Sequence, residues 1–137
     1  MPFRDDTYRQ LFASCRTIAV VGLSPDEQRP SHGVARYLQA QGYRIVPVNP
    51  RADQVLGERC YATLEDIPFT VDLVNVFRRT DDVPPIARSA VAMGARCLWQ
   101  QLGVASAEAD AIATAAGLLS VMDLCIKIEH RRLTVGR

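Results

Sequence analysis

Net charge is almost absent from this chain of 137 residues, where 16 Lys and Arg stand against 15 Asp and Glu. That removes any bulk electrostatic case for DNA, RNA or an anionic membrane surface, so an anion site has to be local. Histidine is scarce too: His32 and His130 lie far apart, and neither sits in a cluster with metal-ligand spacing, which argues against a metal centre. Cys15, Cys60, Cys97 and Cys125 are widely spread and form no C-x-x-C pair, so neither a zinc knuckle nor a redox dithiol is indicated. Reduced, mostly buried thiols are expected instead. No apolar run approaches the length of a membrane span, and Met1-Pro2-Phe3-Arg4-Asp5-Asp6 lacks an apolar signal-peptide core. The expectation is one cytoplasmic domain over residues 1–137, with no membrane and no nucleic acid as partner.

What is present is a repeated grammar of short apolar runs and amphipathic stretches. Thr17-Ile18-Ala19-Val20-Val21 is apolar and β-branched without alternation, as a parallel strand covered on both faces should be, and Gly22 closes it. Further strands are expected at residues 43–48, 71–76, 97–100 and 118–121, with a very short one around Arg59-Cys60-Tyr61. Helices are expected over 7–14, from a Ser31 cap to Gly42, from Asp82 and Pro84 to Gly94, from a Ser106 cap to Gly117, and over 123–132. Pro47 lacks a ladder donor and should sit where no neighbouring strand pairs. Strands alternating with helices at this spacing predict an α/β fold: a single doubly wound Rossmann-like domain with a mainly parallel sheet. Such sheets bind ligands beyond the carboxyl ends of their strands, so the turns after Gly22, Val48, Val76 and Gln100 should converge on one cleft.

The turns limit the chemistry. Gly22-Leu23-Ser24-Pro25-Asp26 departs from the nucleophile elbow, which needs a second small residue where Asp26 stands, and neither histidine is placed to serve as a base. The Walker pattern is missing, and so is G-x-G-x-x-G. At the tip of the second strand, Asn49-Pro50-Arg51 puts a cation where a nicotinamide dinucleotide site would carry an acid. An arginine there can read a phosphorylated ribose through paired hydrogen bonds, which fits NADP or coenzyme A and disfavours NAD. Asp72 and Asn75 interrupt a strand that should be buried, and satisfying backbone or turn groups suits them better than acid–base work.

The segments Val20-Val21-Gly22-Leu23-Ser24-Pro25, Gly42-Tyr43-Arg44-Ile45-Val46-Pro47-Val48-Asn49-Pro50, Val71-Asp72-Leu73-Val74, Val76-Phe77-Arg78, Trp99-Gln100-Gln101-Leu102-Gly103 and Asp123-Leu124-Cys125-Ile126 follow one another in a single plan. That plan resembles the coenzyme A-binding domain at the start of the succinyl-CoA synthetase alpha subunit and, more closely, the small stand-alone CoA-binding proteins of bacteria and archaea. The resemblance runs over roughly residues 17–130. It implies that Gly22, Leu23, Ser24, Pro25 and the turn up to Ser31 embrace the ADP phosphates, helped by the amino terminus of the next helix. It also implies that Asn49, Pro50 and Arg51 fix the adenosine end. Val76, Phe77 and Arg78 would line the adenine and pantetheine path, and Trp99, Gln100 and Gln101 would close the far side.

Each role has a plainer rival: Ser24 as a turn cap, Phe77 and Trp99 as core, Arg78 and Arg79 as a solvated pair, Cys125 as an inert thiol. Three functional readings follow. The first is a module that binds coenzyme A or an acyl-CoA without a catalytic constellation of its own, since the domain with the synthetase's phosphorylated histidine has no counterpart here. The second is an NADP-dependent oxidoreductase-type domain, and the third is a non-enzymatic interaction subunit. A protein partner or a homo-oligomer is compatible with each.

Overall fold

The computed structural model describes residues 3–134. It contains helix α1 (Asp5–Ser14), strand β1 (Thr17–Val21), α2 (Pro30–Ala40), β2 (Arg44–Val48), β3 (Gln54–Val55), β4 (Glu58–Arg59), β5 (Leu73–Val76), α3 (Val83–Ala92), β6 (Cys97–Gln100), α4 (Ala107–Ala115), β7 (Leu119–Val121) and α5 (Ile126–Thr134). Two 3₁₀ turns, Leu64–Asp66 and Thr80–Asp82, fill the connections around β5.

Five strands form one sheet in the order β2-β1-β5-β6-β7, and every pair in it is parallel. Strand order reverses between β1 and β5, because the chain first winds outward to β2 and then returns across β1 to wind the other way. Alternation along β1 shows why both faces must be covered: Ile18 and Val20 pack with Tyr8, Phe12, Leu38, Ile45, Leu73, Trp99 and Ile126 on the α1, α2 and α5 side. Ala19 and Val21 pack with Val46, Val74, Val76, Leu98 and the small residues Ala87, Ala90, Ala109 and Ala113 on the α3 and α4 side. A polar residue on either face of β1 would meet core, which is why the strand reads as an unbroken apolar run.

Local signals mostly act as expected. Gly42, Gly94 and Gly117 take positive φ just past their helices, and the Ser106 hydroxyl accepts from the Ala109 N–H at the start of α4. The Pro47 carbonyl faces the outer edge of β2, where it accepts from the Tyr61 N–H at 3.0 Å. In a parallel strand the nitrogen of the same residue points that way too, so the missing donor costs no sheet hydrogen bond.

One local expectation is corrected and a second is extended. Ser31 is not the cap of α2: the cap position is Arg29, Pro30 takes the first turn, and the Ser31 hydroxyl accepts instead from the Ser24 N–H at 3.0 Å. The short strand near Arg59 is half of an antiparallel hairpin, β3 with β4, while Tyr61 bridges to Val48. Its turn residues Leu56 and Gly57 both have positive φ, 56° and 76°. That backbone is usually announced by Asn-Gly or Asp-Gly, and Leu in the first place hides it.

Candidate functional site

Three hydrogen bonds align the carboxyl ends of four neighbouring strands. The Gly22 N–H donates to Val48 O at 2.8 Å, the Phe77 N–H to Val21 O at 2.8 Å, and the Gln101 N–H to Val76 O at 3.2 Å. The four turns therefore leave the sheet side by side, with the reversal of strand order between the first and third. Gly22 has φ +87°, and a Cβ built on it would collide with the Phe77 carbonyl oxygen, so β1 and β5 can approach here only because the side chain is absent.

The turn after β1 is rigid through its own side chains. Ser24 Oγ accepts from the Asp26 N–H at 3.0 Å, Asp26 Oδ1 from the Gln28 N–H at 2.9 Å, and Ser31 Oγ ties the turn back to the first turn of α2. Asn49 joins this turn to the one after β2: its Nδ2 donates to Leu23 O at 3.0 Å while its Oδ1 accepts from the Arg51 N–H at 2.9 Å. Asn49 thereby presents Pro50 and Arg51, both exposed, over the edge. Phe77 and Arg78 are half-buried beside it. Neither Arg51 nor Arg78 has a carboxylate partner among the described residues. Two cations with uncommitted donors flank a turn that opens onto the amino terminus of an 11-residue helix, an arrangement suited to phosphate groups.

The other half of the edge differs. Trp99 is fully buried between Tyr8 and Phe12, with ring centroids 5.6 and 5.8 Å away, and its Nε1 donates to Leu124 O at 2.8 Å. Gln100, also fully buried, clasps the backbone of Ser106, accepting from its N–H at 2.7 Å and donating to its carbonyl at 3.1 Å. Gln101 Oε1 accepts from Asn75 Nδ2 and from the Ile126 N–H, each at 3.3 Å. The side chains expected to close the far side of the cleft are thus spent on the core and on the starts of α4 and α5. Leu23 and Val76 are core as well, with no exposed surface; at those two positions only backbone reaches the edge.

Two hollows lie elsewhere, one of about 350 Å³ beside β7 and one of about 280 Å³ between α1 and α5, and neither touches the four turns. The sequence profile of a family described as CoA binding domain matches residues 16–131. The chain belongs to this CoA-binding domain family. It is similar to the uncharacterized protein YneT of Bacillus subtilis (strain 168), 38% identical over 122 residues that make up 89% of this chain and 90% of that protein. The structure of cell-free ID.343 from Thermus thermophilus is 36% identical, with a TM-score of 0.91 over 96% of this chain and 99% of that one. The ADP-forming acetate–CoA ligase II of Archaeoglobus fulgidus is 31% identical over 81 residues, 58% of this chain but 12% of the ligase.

Within this CoA-binding domain, several polar residues carry roles the sequence did not single out. Asp123, with φ 60°, accepts the Gly103 N–H on its Oδ1 at 2.7 Å and so pins the turn after β6 to the approach of α5. His32 is buried in the first turn of α2, and its Nδ1 has no partner among the described residues; a histidine following Pro-Ser at a helix start was its only sequence signal. Asp72 behaves as expected, its Oδ2 accepting the N–H groups of Arg16 and Thr17. Asn75 gives its Nδ2 to Gln101 and to Trp99 O at 3.4 Å. All four cysteines are free; burial pushes the Cys15 thiol up to about 11 and raises Cys60 and Cys97, which keeps these three protonated and unreactive.

Proposed function

We propose that this domain binds coenzyme A, or an acyl-CoA, along the carboxyl edge over the β1–β5 reversal, without catalytic residues of its own. The observation that carries the reading is the pairing of the Gly22–Phe77 close approach with the unpartnered Arg51 and Arg78 on either side of it. Gly22, Ser24, Pro25 and Ser31 frame the diphosphate with backbone and hydroxyl groups at the start of α2. Asn49, Pro50 and Arg51 take the adenosine end, and Arg51 pairs with the ribose phosphate. Phe77 supplies apolar contact and Arg78 charge along the path of the ligand. Val76, Trp99, Gln100 and Gln101 act beneath the site, holding β5, β6 and the start of α5 in place. Family membership supports the ligand class, and the short overlap with the ligase leaves the ligase reaction out of the reading.

Calorimetric titration of the ligand-stripped protein with CoA, dephospho-CoA and NADP tests this directly. Saturable CoA binding that weakens when the ribose phosphate is removed is the expected result. Tight NADP binding without CoA binding would replace the reading with the oxidoreductase class, and no binding of any of the three would move function to a protein partner.

A further inference from the structure

Among the described residues, the large apolar side chains left exposed are Phe3, Leu102 and Ile128, and Leu102 is the most open of them at 62%. It lies at the carboxyl edge, in the turn after β6. Nothing in the fold calls for an apolar group there. Leu102 is the second residue of the tight turn Gln101-Leu102-Gly103-Val104, which is closed by the Val104 N–H on Gln101 O at 2.8 Å, with Gly103 at φ +88°. A polar residue would serve that place in the turn equally well.

The turn is also held firmly. Asp123 accepts the Gly103 N–H on its Oδ1 at 2.7 Å and gives its own N–H to Val104 O at 3.1 Å. It does so at φ 60°, a backbone that a residue other than glycine adopts at a cost. Asp123 belongs to the turn after β7, where its neighbours Met122 and Leu124 are half-buried. Met122 and Leu124 also border the hollow of about 350 Å³ beside β7. Tyr8 and Val121, both buried, line it more deeply, and its α4 side is polar, with Asp110 and Thr114. Two turns locked together thus carry accessible apolar side chains from the carboxyl edge to this hollow.

Distances along the edge connect these residues to the proposed ligand. With the adenosine over β2 and the diphosphate over the turn after β1, the arm from diphosphate to sulfur spans about 12 bonds, the length of about four extended residues or roughly 13–14 Å. Neighbouring strands lie about 4.8 Å apart, so the turns after β6 and β7 stand roughly 10 and 14 Å from the turn after β1. The sulfur therefore ends over Leu102 and Leu124.

Resting on that placement of coenzyme A, we propose that Leu102, Leu124 and Met122 form an acyl-binding surface, and that the ligand this domain selects is a short-chain acyl-CoA rather than free CoA. The acyl chain leaves the thioester over Leu102, crosses Leu124 and Met122, and enters the hollow along its α1 wall. The hollow is at the small end of ligand pockets, which span about 300 to 1,000 Å³, so it suits a chain of about four to eight carbons and excludes a long fatty one.

Calorimetric titration of the ligand-stripped full chain with CoA, acetyl-CoA and hexanoyl-CoA tests this, in the wild type and in Leu102→Ser. Each fully buried methylene is worth about fourfold in affinity, so even with the chain half-buried hexanoyl-CoA should bind at least about tenfold more tightly than CoA or acetyl-CoA. Leu102→Ser alters an exposed turn residue and keeps the fold. It should bind CoA as the wild type does, and hexanoyl-CoA at least about fivefold more weakly. CoA binding with no gain for hexanoyl-CoA, or an undiminished gain in Leu102→Ser, would overturn the acyl surface and leave the CoA site standing. Failure of all three ligands to bind would remove both.

Discussion

The two halves of the carboxyl edge are built from similar residues and put to opposite uses. After β1 and β2, Ser24 and Asp26 each bond to the backbone two residues on and Asn49 ties Leu23 O to the Arg51 N–H, stiffening the turns, while Arg51 stays exposed and unpaired among the described residues. After β6, Trp99, Gln100 and Gln101 bond to the backbone of Leu124, Ser106 and Ile126, at the approaches to α4 and α5, and each is buried. The first half leaves donors uncommitted; the second consumes them in holding α4 and α5 to the sheet. A polar residue at the end of a strand therefore indicates position along the chain, and only its partners decide whether it faces a ligand.

Four variants press on that contrast. Trp99→Ala empties the best-packed site in the buried half and is expected to cost about 3–5 kcal/mol of stability in chemical denaturation, with CoA affinity of the folded protein little changed. A large affinity loss at full folding would return Trp99 to the cleft. Gly22→Ala forces a side chain against Phe77 O at positive φ and should cost at least ~2 kcal/mol of stability and abolish CoA binding in calorimetry. Wild-type behaviour of this variant would remove the close approach from the argument. Arg78→Ala should weaken CoA and dephospho-CoA alike, by about 1.5–3 kcal/mol each, as loss of a charge-assisted hydrogen bond requires. Arg51→Ala should show the smallest effect and the most selective one: affinity for CoA drops by about 1.5 kcal/mol or more while dephospho-CoA is unaffected. Equal losses for both ligands would separate Arg51 from the ribose phosphate.

Much of the fold was legible because its signals are short-range. The unbroken apolar run of β1, the glycines that end α2, α3 and α4, and the Ser106 cap each depend on a few adjacent residues, and each reappears in the structure. The hairpin of β3 and β4 was not legible, since Leu56 adopts a backbone its residue type rarely takes. Ser31 was misassigned because a hydroxyl at a helix start can bond either to its own helix or to a preceding turn, and seven residues away the Ser24 N–H was the better donor. At the carboxyl edge, Gly22 and Arg51 were singled out by their place after a strand, and the structure sets both in the turns there. Trp99 and Gln100 were expected at the far side of the cleft from the resemblance, which does not register the two-residue alternation that aims Trp99 at α1 and Gln100 at α4.

By itself the sequence determined the alternation of strands and helices, hence a parallel sheet, and the positions of the turns at its carboxyl end, because hydrophobic period and turn chemistry are local. The tertiary structure decided the strand order and therefore which turns become neighbours. It also decided which of the polar side chains there find partners within the protein. Those are outcomes of long-range pairing: Gln101 meets Asn75 and the Ile126 N–H only once β5, β6 and α5 are assembled, and the turn that carries Leu102 is locked only when Asp123, beyond β7, accepts the Gly103 N–H.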